Sequence, residues 1–207
     1  MNTVLFVILL IIFALFFKKY FYDGTVGVVS NLDGKVYNVR EGPYGQRKAD
    51  LLSFIKMKLT ILIEALRKDP QYNMTVSVLR LLSNWDRGLT IKEIGNMESD
   101  AAYVINKQHM AFCLQDRPYP GSTVKTTSLE DTNLISYVAI HELAHMMSDE
   151  TGHGSEFVSN FEFLLDYSKD IDYMDPFTKN VQKLYIPLNK LDTSDNYCGV
   201  ALTNAIK

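Results

Sequence analysis

Apolar residues run unbroken from Val4 to Phe17 and give way to Lys18 and Lys19. Extended from Thr3 through Tyr22, the stretch reaches the roughly 17–25 residues that a spanning helix needs. Both lysines can then snorkel, with Tyr20, Phe21 and Tyr22 at the interface. A cleaved signal peptide has a basic start and a small-residue cleavage site. Here the start is uncharged and aromatic residues follow the lysines, so the pattern predicts an uncleaved transmembrane anchor over 1–22. Positive charge on its C-terminal flank predicts a single-pass protein whose bulk faces the cytoplasm.

The pattern then changes to glycine punctuation. Gly24, Gly27, Gly34, Gly42, Pro43 and Gly45 mark 23–46 as a spacer with a short hairpin around Asp33-Gly34. It reads either as a tether or as an ordered extension lying on the domain. From Arg47 to Asp69, Leu51, Leu52, Ile55, Leu59, Leu62 and Leu66 keep helical spacing, and Pro70 ends the helix. Val76 to Trp85 predicts a second, short helix. Ala101–Asn106 and His109–Leu114 read as strands joined by a turn at Lys107-Gln108, with a further strand at Ile91–Ile94. Residues 116–127, with Pro118, Pro120 and Gly121, form a loop.

Thr127-Ser128-Leu129-Glu130 is a capping box that predicts a helix start near Ser128. Leu134, Tyr137, Val138, Ile140, Ala144 and Met147 supply its apolar positions, and Gly152 can take positive φ to end it. Phe157, Val158, Phe161, Leu164 and Leu165 define another helix, beginning near Ser155 as cap. Beyond Asp170 the chain reads as irregular. The 47–207 stretch therefore suits one domain, α+β in class.

The histidines add chemistry to this frame. Three of the chain's four fall within thirteen consecutive positions, as His141-Glu142-Leu143-Ala144-His145 and then Gly152-His153-Gly154. Residues four apart share a helix face, so His141 and His145 can offer two imidazoles to one Zn2+. Glu142 stands beside them as a general base that is not itself a ligand. His153, directly after the helix stop, is favoured as third ligand and leaves one position open for water. Glu156, Glu162 and Cys113 are its rivals. His109 reads as a strand residue outside the site. Tyr173, Tyr185 and Tyr197 are oxyanion candidates, although aromatic packing is the commoner role for each.

Composition narrows the partners. A net charge of −3 without a basic cluster argues against a nucleic-acid surface. Two cysteines cannot build a four-cysteine zinc ribbon, and a bond between Cys113 and Cys198 needs geometry that sequence does not supply.

The segments His141–His145 and His153–Phe157 resemble the H-E-L-x-H…H-x-x-x-F arrangement of WLM-type and SprT-like zinc metallopeptidases. The whole order is similar to small membrane-anchored metallopeptidase-like proteins of large DNA viruses. That order runs from the N-terminal anchor through Tyr103–Lys107, Cys113-Leu114, the histidine helix and Phe161–Leu165 to Tyr197-Cys198-Gly199. The resemblance covers roughly residues 90 to 200. It implies a zincin-like minidomain behind the N-terminal transmembrane helix, with His141, His145 and His153 as ligands and Glu142 as base.

The resulting expectation is a membrane-anchored zinc metallopeptidase acting on a protein or peptide substrate. It would contact the lipid membrane through its N-terminal helix and viral structural proteins as partners, on a viral or host internal membrane. Two other readings stand beside it. One is a non-catalytic virion membrane or assembly protein on a zincin scaffold. The other is a zinc amide hydrolase with Cys113 as a ligand.

Overall fold

The computed structural model describes residues 6–13, 23–96, 100–115, 129–188, 196–198 and 200–201. The transmembrane helix expected over 1–22 is corrected, and with it the single-pass placement facing the cytoplasm. Among the described residues no helix is long and apolar enough to cross a membrane. The helix described in that region covers only 6–13. Those eight described positions span about 12 Å at 1.5 Å per residue, against a hydrocarbon core of about 30 Å. The remaining positions of 1–22 lie outside the described residues.

The protein is α+β with small sheets. Strands β1 (Thr25–Val29) and β2 (Val36–Arg40) form an antiparallel hairpin. Tyr37 and Val39 on β2 are buried, so this glycine-rich region lies on the domain as an ordered extension. Helix α1 (Gly45–Lys68) follows, and its stripe of Leu52, Ile55, Leu59, Leu62 and Leu66 is buried. Pro70 cannot continue the helix, and Asp69 already takes an extended conformation. Helix α2 (Val76–Asp86) sends Val78, Leu81 and Leu82 inward.

Strands β3 (Thr90–Glu93), β4 (Ala102–Ile105) and β5 (His109–Phe112) make one sheet in the order β3-β5-β4. β4 and β5 form an antiparallel hairpin, and β3 runs parallel to β5. The reversal is one residue longer than expected, Asn106 to Gln108 in place of Lys107-Gln108, with Asn106 and Lys107 at positive φ (53° and 55°).

Helix α3 (Thr132–Met147) is apolar around most of its circumference, the signature of a core helix. It packs against α1, α2, β4 and helix α4 (Ser155–Ser168). The expected start near Ser128 gives way to a later one. Asp131 is the N-cap, its carboxylate accepting the Asn133 and Leu134 amides at 2.8 and 3.0 Å. Thr127 and Ser128 lie outside the described residues. The region beyond Asp170 carries two short hairpins, β6 (Asp172–Met174) with β7 (Val181–Lys183) and β8 (Asn196–Tyr197) with β9 (Val200–Ala201).

Two long-range ties lock these pieces together. Glu93, 0% exposed, receives Arg40 Nε at 2.8 Å and Lys48 Nζ at 2.9 Å on one oxygen, and the Arg40 amide at 2.6 Å on the other. Arg40 Nη2 also donates to the Gln115 carbonyl, so the ion cluster fastens β2, α1 and β3 in one place. The second tie is a disulfide between Cys113, after β5, and Cys198.

Candidate metal centre

The site grows from α3. His141 and His145, one helical turn apart, project on the same side. After Met147 the helix stops with Ser148 in extended conformation. Its last carbonyls, which have no partner within the helix, find donors elsewhere. Asn84 Nδ2 donates to Met146 O (2.6 Å), Arg80 Nη1 to Met147 O (2.9 Å) and Lys107 Nζ to Ser148 O. Side chains of α2 and of the β4–β5 hairpin thus hold the end of the histidine helix.

The turn that follows delivers the third imidazole. Gly152 sits there at φ 87°, in the left-handed region that costs a side-chain-bearing residue energy. Helix α4 then begins at Ser155 with Gly154 as N-cap, in place of the expected Ser155. The Glu150 carboxylate satisfies the first amides by accepting from Glu156 N (2.9 Å) and Phe157 N (3.3 Å). An added Cβ at Gly154 would collide with that carboxylate. His153 is therefore held between a glycine turn and a capped helix start.

These three imidazoles converge. One ring nitrogen from each of His141, His145 and His153 lies within 4.8 Å of the others. His141 Nε2 and His153 Nε2 stand 3.1 Å apart. Phe157 packs against all three rings, with centroids at 4.8, 4.3 and 4.6 Å from His141, His145 and His153.

Burial, and then the neighbouring His145 and His153, push the His141 pKa down to about 3. Burial, His153 and Lys107 lower His145 to about 4. Both are neutral rings at physiological pH, with lone pairs available to a cation. His141 Nδ1 is buried and has no hydrogen-bond partner among the described residues. A polar nitrogen in that situation is costly unless something binds it or its ring. Three imidazole nitrogens at this spacing fit a metal ion, and three protein ligands leave a coordination position open.

Glu142 follows His141 and lines the same cleft, about 530 Å3 in volume. Burial, with a further contribution from Asp100, raises its carboxyl to about 8. A bound dication would act in the opposite direction. Strand β4 forms one wall through Ala102, Tyr103 and Val104, and Lys107 stands at its end. Sequence reading passed over Tyr103 and Lys107 as functional residues. The strand's alternation was legible, but its position against the histidine helix depends on sheet order.

The rival ligands are placed elsewhere. Cys113 is in the disulfide and has no thiolate to offer. Glu156 is held by Arg80 at 2.6 Å and by the Asp149 amide at 2.9 Å. Glu162 is exposed on α4. His109 faces Thr90 Oγ1 at 2.7 Å, away from the cluster. Among the oxyanion candidates, Tyr197 OH donates to Cys113 O and Tyr185 OH accepts the Leu188 amide. Tyr173 lines a different cavity.

Comparison with known proteins places the chain among viral relatives. It is similar to uncharacterized protein R325 of Acanthamoeba polyphaga mimivirus, 29% identical over 147 residues, covering 70% of this chain and 71% of that protein. It is 30% identical over 106 residues to uncharacterized protein 136R of Invertebrate iridescent virus 6, covering 50% and 55%. Uncharacterized protein 042R of Invertebrate iridescent virus 3 is 28% identical over 153 residues, covering 63% and 92%. No protein-family model and no solved structure matches the chain.

Proposed function

We propose that this protein is a zinc-dependent metallopeptidase. The observation that carries the reading is the convergence of three imidazoles beside a buried carboxylate, in a cleft walled by a strand. His141, His145 and His153 would hold the ion. Bound Zn2+ supplies Lewis acidity, activating water near neutral pH and polarising a carbonyl.

The chain's own residues do the rest. Glu142 accepts the proton of the attacking water and returns it to the leaving amine nitrogen. Among the described residues strand β4 is an edge strand of its sheet, the position from which an extended peptide can pair as an added strand. Phe157 keeps the three rings in register. The Cys113 ligand set of an amide hydrolase is disfavoured, because that sulfur is bonded to Cys198.

Zinc content and cleavage of a peptide library, measured on the full chain and on Glu142→Gln, test the reading. Zinc in both with cleavage by the unmodified protein alone supports it. Zinc in both and cleavage in neither supports a scaffold role. A folded protein that takes up no zinc overturns the proposal.

A further inference from the structure

His153 is held in place differently from the other two imidazoles. His141 and His145 ride on α3, where Ile140, Leu143, Ala144 and Met146 are buried around them. Core packing fixes those two rings. Around His153 the chain is open: Thr151, Gly152, Gly154 and Ser155 are exposed. Phe157 packs on the His153 ring, but the backbone that carries it is placed by polar contacts.

Those contacts form a closed clasp. Glu156 Oε2 accepts the Asp149 amide at 2.9 Å and the Glu150 amide at 3.4 Å. In return, Glu150 Oε1 accepts the Glu156 amide at 2.9 Å and the Phe157 amide at 3.3 Å. The segment is thus tied across its base, with Gly152 and His153 between the two glutamates.

Arg80 of α2 joins this clasp to the histidine helix. Its Nη1 donates to Glu156 Oε1 at 2.6 Å and to the carbonyl of Met147, the last residue of α3, at 2.9 Å. A guanidinium Nη carries two N–H groups in fixed directions, one for each acceptor. The bond to Glu156 is short and charge-assisted, the stronger class of hydrogen bond. The two side chains are 25% and 35% exposed, so solvent screens the pair less than it would on an open surface. One nitrogen therefore holds both the helix of His141 and His145 and the loop of His153.

We propose that Arg80 is a positioning residue of the metal centre, setting the place of His153 relative to His141 and His145. It acts through Glu156 and the Met147 carbonyl and touches neither ion nor substrate. Loss of the bridge releases the His153 loop, while packing keeps the other two ligands on α3. The inference rests on the metal reading above and deepens it. Groups that orient metal ligands from outside govern affinity by roughly 10–100-fold.

The test is zinc affinity of the full chain, measured by competition with a chromophoric chelator. Arg80→Met keeps the aliphatic stem and removes the donors, and should weaken zinc by roughly 10–100-fold. Arg80→Lys should recover part of that loss. In a His153→Ala background, Arg80→Met should change the affinity by less than about twofold, because the ligand that it positions is gone. The visible spectrum of the Co2+-loaded chain should shift in Arg80→Met toward that of His153→Ala. Circular dichroism of the metal-free variants checks folding. Glu156→Ala cuts the same bridge from its other end and carries the same expectations where Arg80→Met does not fold. Unchanged affinity in the folded variant, or an equal loss with and without His153, overturns the role of Arg80 and leaves the metal reading standing. An unmodified chain that takes up no zinc overturns both.

Discussion

Two buried polar clusters of this protein are built on opposite terms. Around Glu93, each carboxylate oxygen receives donors, and the two cations share one counterion. Around His141, three imidazoles face one another, and among the described residues one buried nitrogen has no hydrogen-bond partner. Burying charge is tolerable when it is paired and hydrogen-bonded, so the first cluster holds chain segments together. The second is a polar centre whose satisfaction is incomplete from within the chain. That difference, rather than burial itself, separates a structural cluster from one shaped for a ligand.

The contrast can be broken most forcefully at Glu93. Glu93→Ala leaves Arg40 and Lys48 buried without their shared carboxylate, and urea denaturation should show a loss of about 3–5 kcal/mol. A loss below about 1 kcal/mol would mean that the cluster is not holding β2, α1 and β3 together.

Lys58, a buried cation with only a hydroxyl as hydrogen-bond partner, gives the next effect. Burial lowers its pKa from 10.5 to about 8, with Asp175 and Asp131 acting the other way. Between those values the unfolded chain binds the extra proton, so its contribution to stability rises with pH from about 8 to 10.5 and is most unfavourable below 8. Asp175 stays ionised throughout, and Tyr173, raised to about 12 by burial, stays protonated. Lys58→Met should therefore be the more stable protein at pH 7, by on the order of 3 kcal/mol. That advantage should vanish near pH 10.5 in paired denaturation curves. A difference independent of pH would show that Lys58 is not the source.

Zinc addresses the second cluster directly. At roughly 100-fold excess over its dissociation constant, zinc should stabilise the protein by about 2.7 kcal/mol, seen as a higher melting temperature. His145→Ala should remove that increment while leaving the metal-free protein folded, and a chelator should reverse it in the unmodified chain. An increment that survives His145→Ala would place the ion elsewhere.

The smallest effect concerns the scaffold of the site. Asp131→Ala removes the cap of α3 and should lower stability by about 1 kcal/mol, without altering zinc stoichiometry. Loss of zinc along with the cap would show that helix α3 positions its ligands less rigidly than its packing implies.

What could be read before folding follows from periodicity and local chemistry. The α1 stripe from Leu52 to Leu66 is buried at the spacing that the pattern demands. His141 and His145 meet because one helical turn places them together, and His153 joins them because a glycine turn and a capped helix follow. The cap of α3 was misplaced, since Thr127–Glu130 has capping chemistry but Asp131 makes the bonds. Nothing in the neighbours of Lys58 along the chain announces that its side chain is buried.

Helices α1, α2 and α4, the histidine face of α3 and the residue types that can hold a metal follow from the chain alone, because each depends on residues within a turn or two of one another, whereas the expected 1–22 anchor did not hold. Tertiary structure alone decided that Cys113 is bonded to Cys198, that Glu93 is the hub of two cations and that β4 walls the histidine cleft. It also decided that Lys58 is buried beside Ser136, 78 residues away. Those outcomes join segments far apart in the chain, where burial and charge depend on what packs against a residue and not on what precedes it.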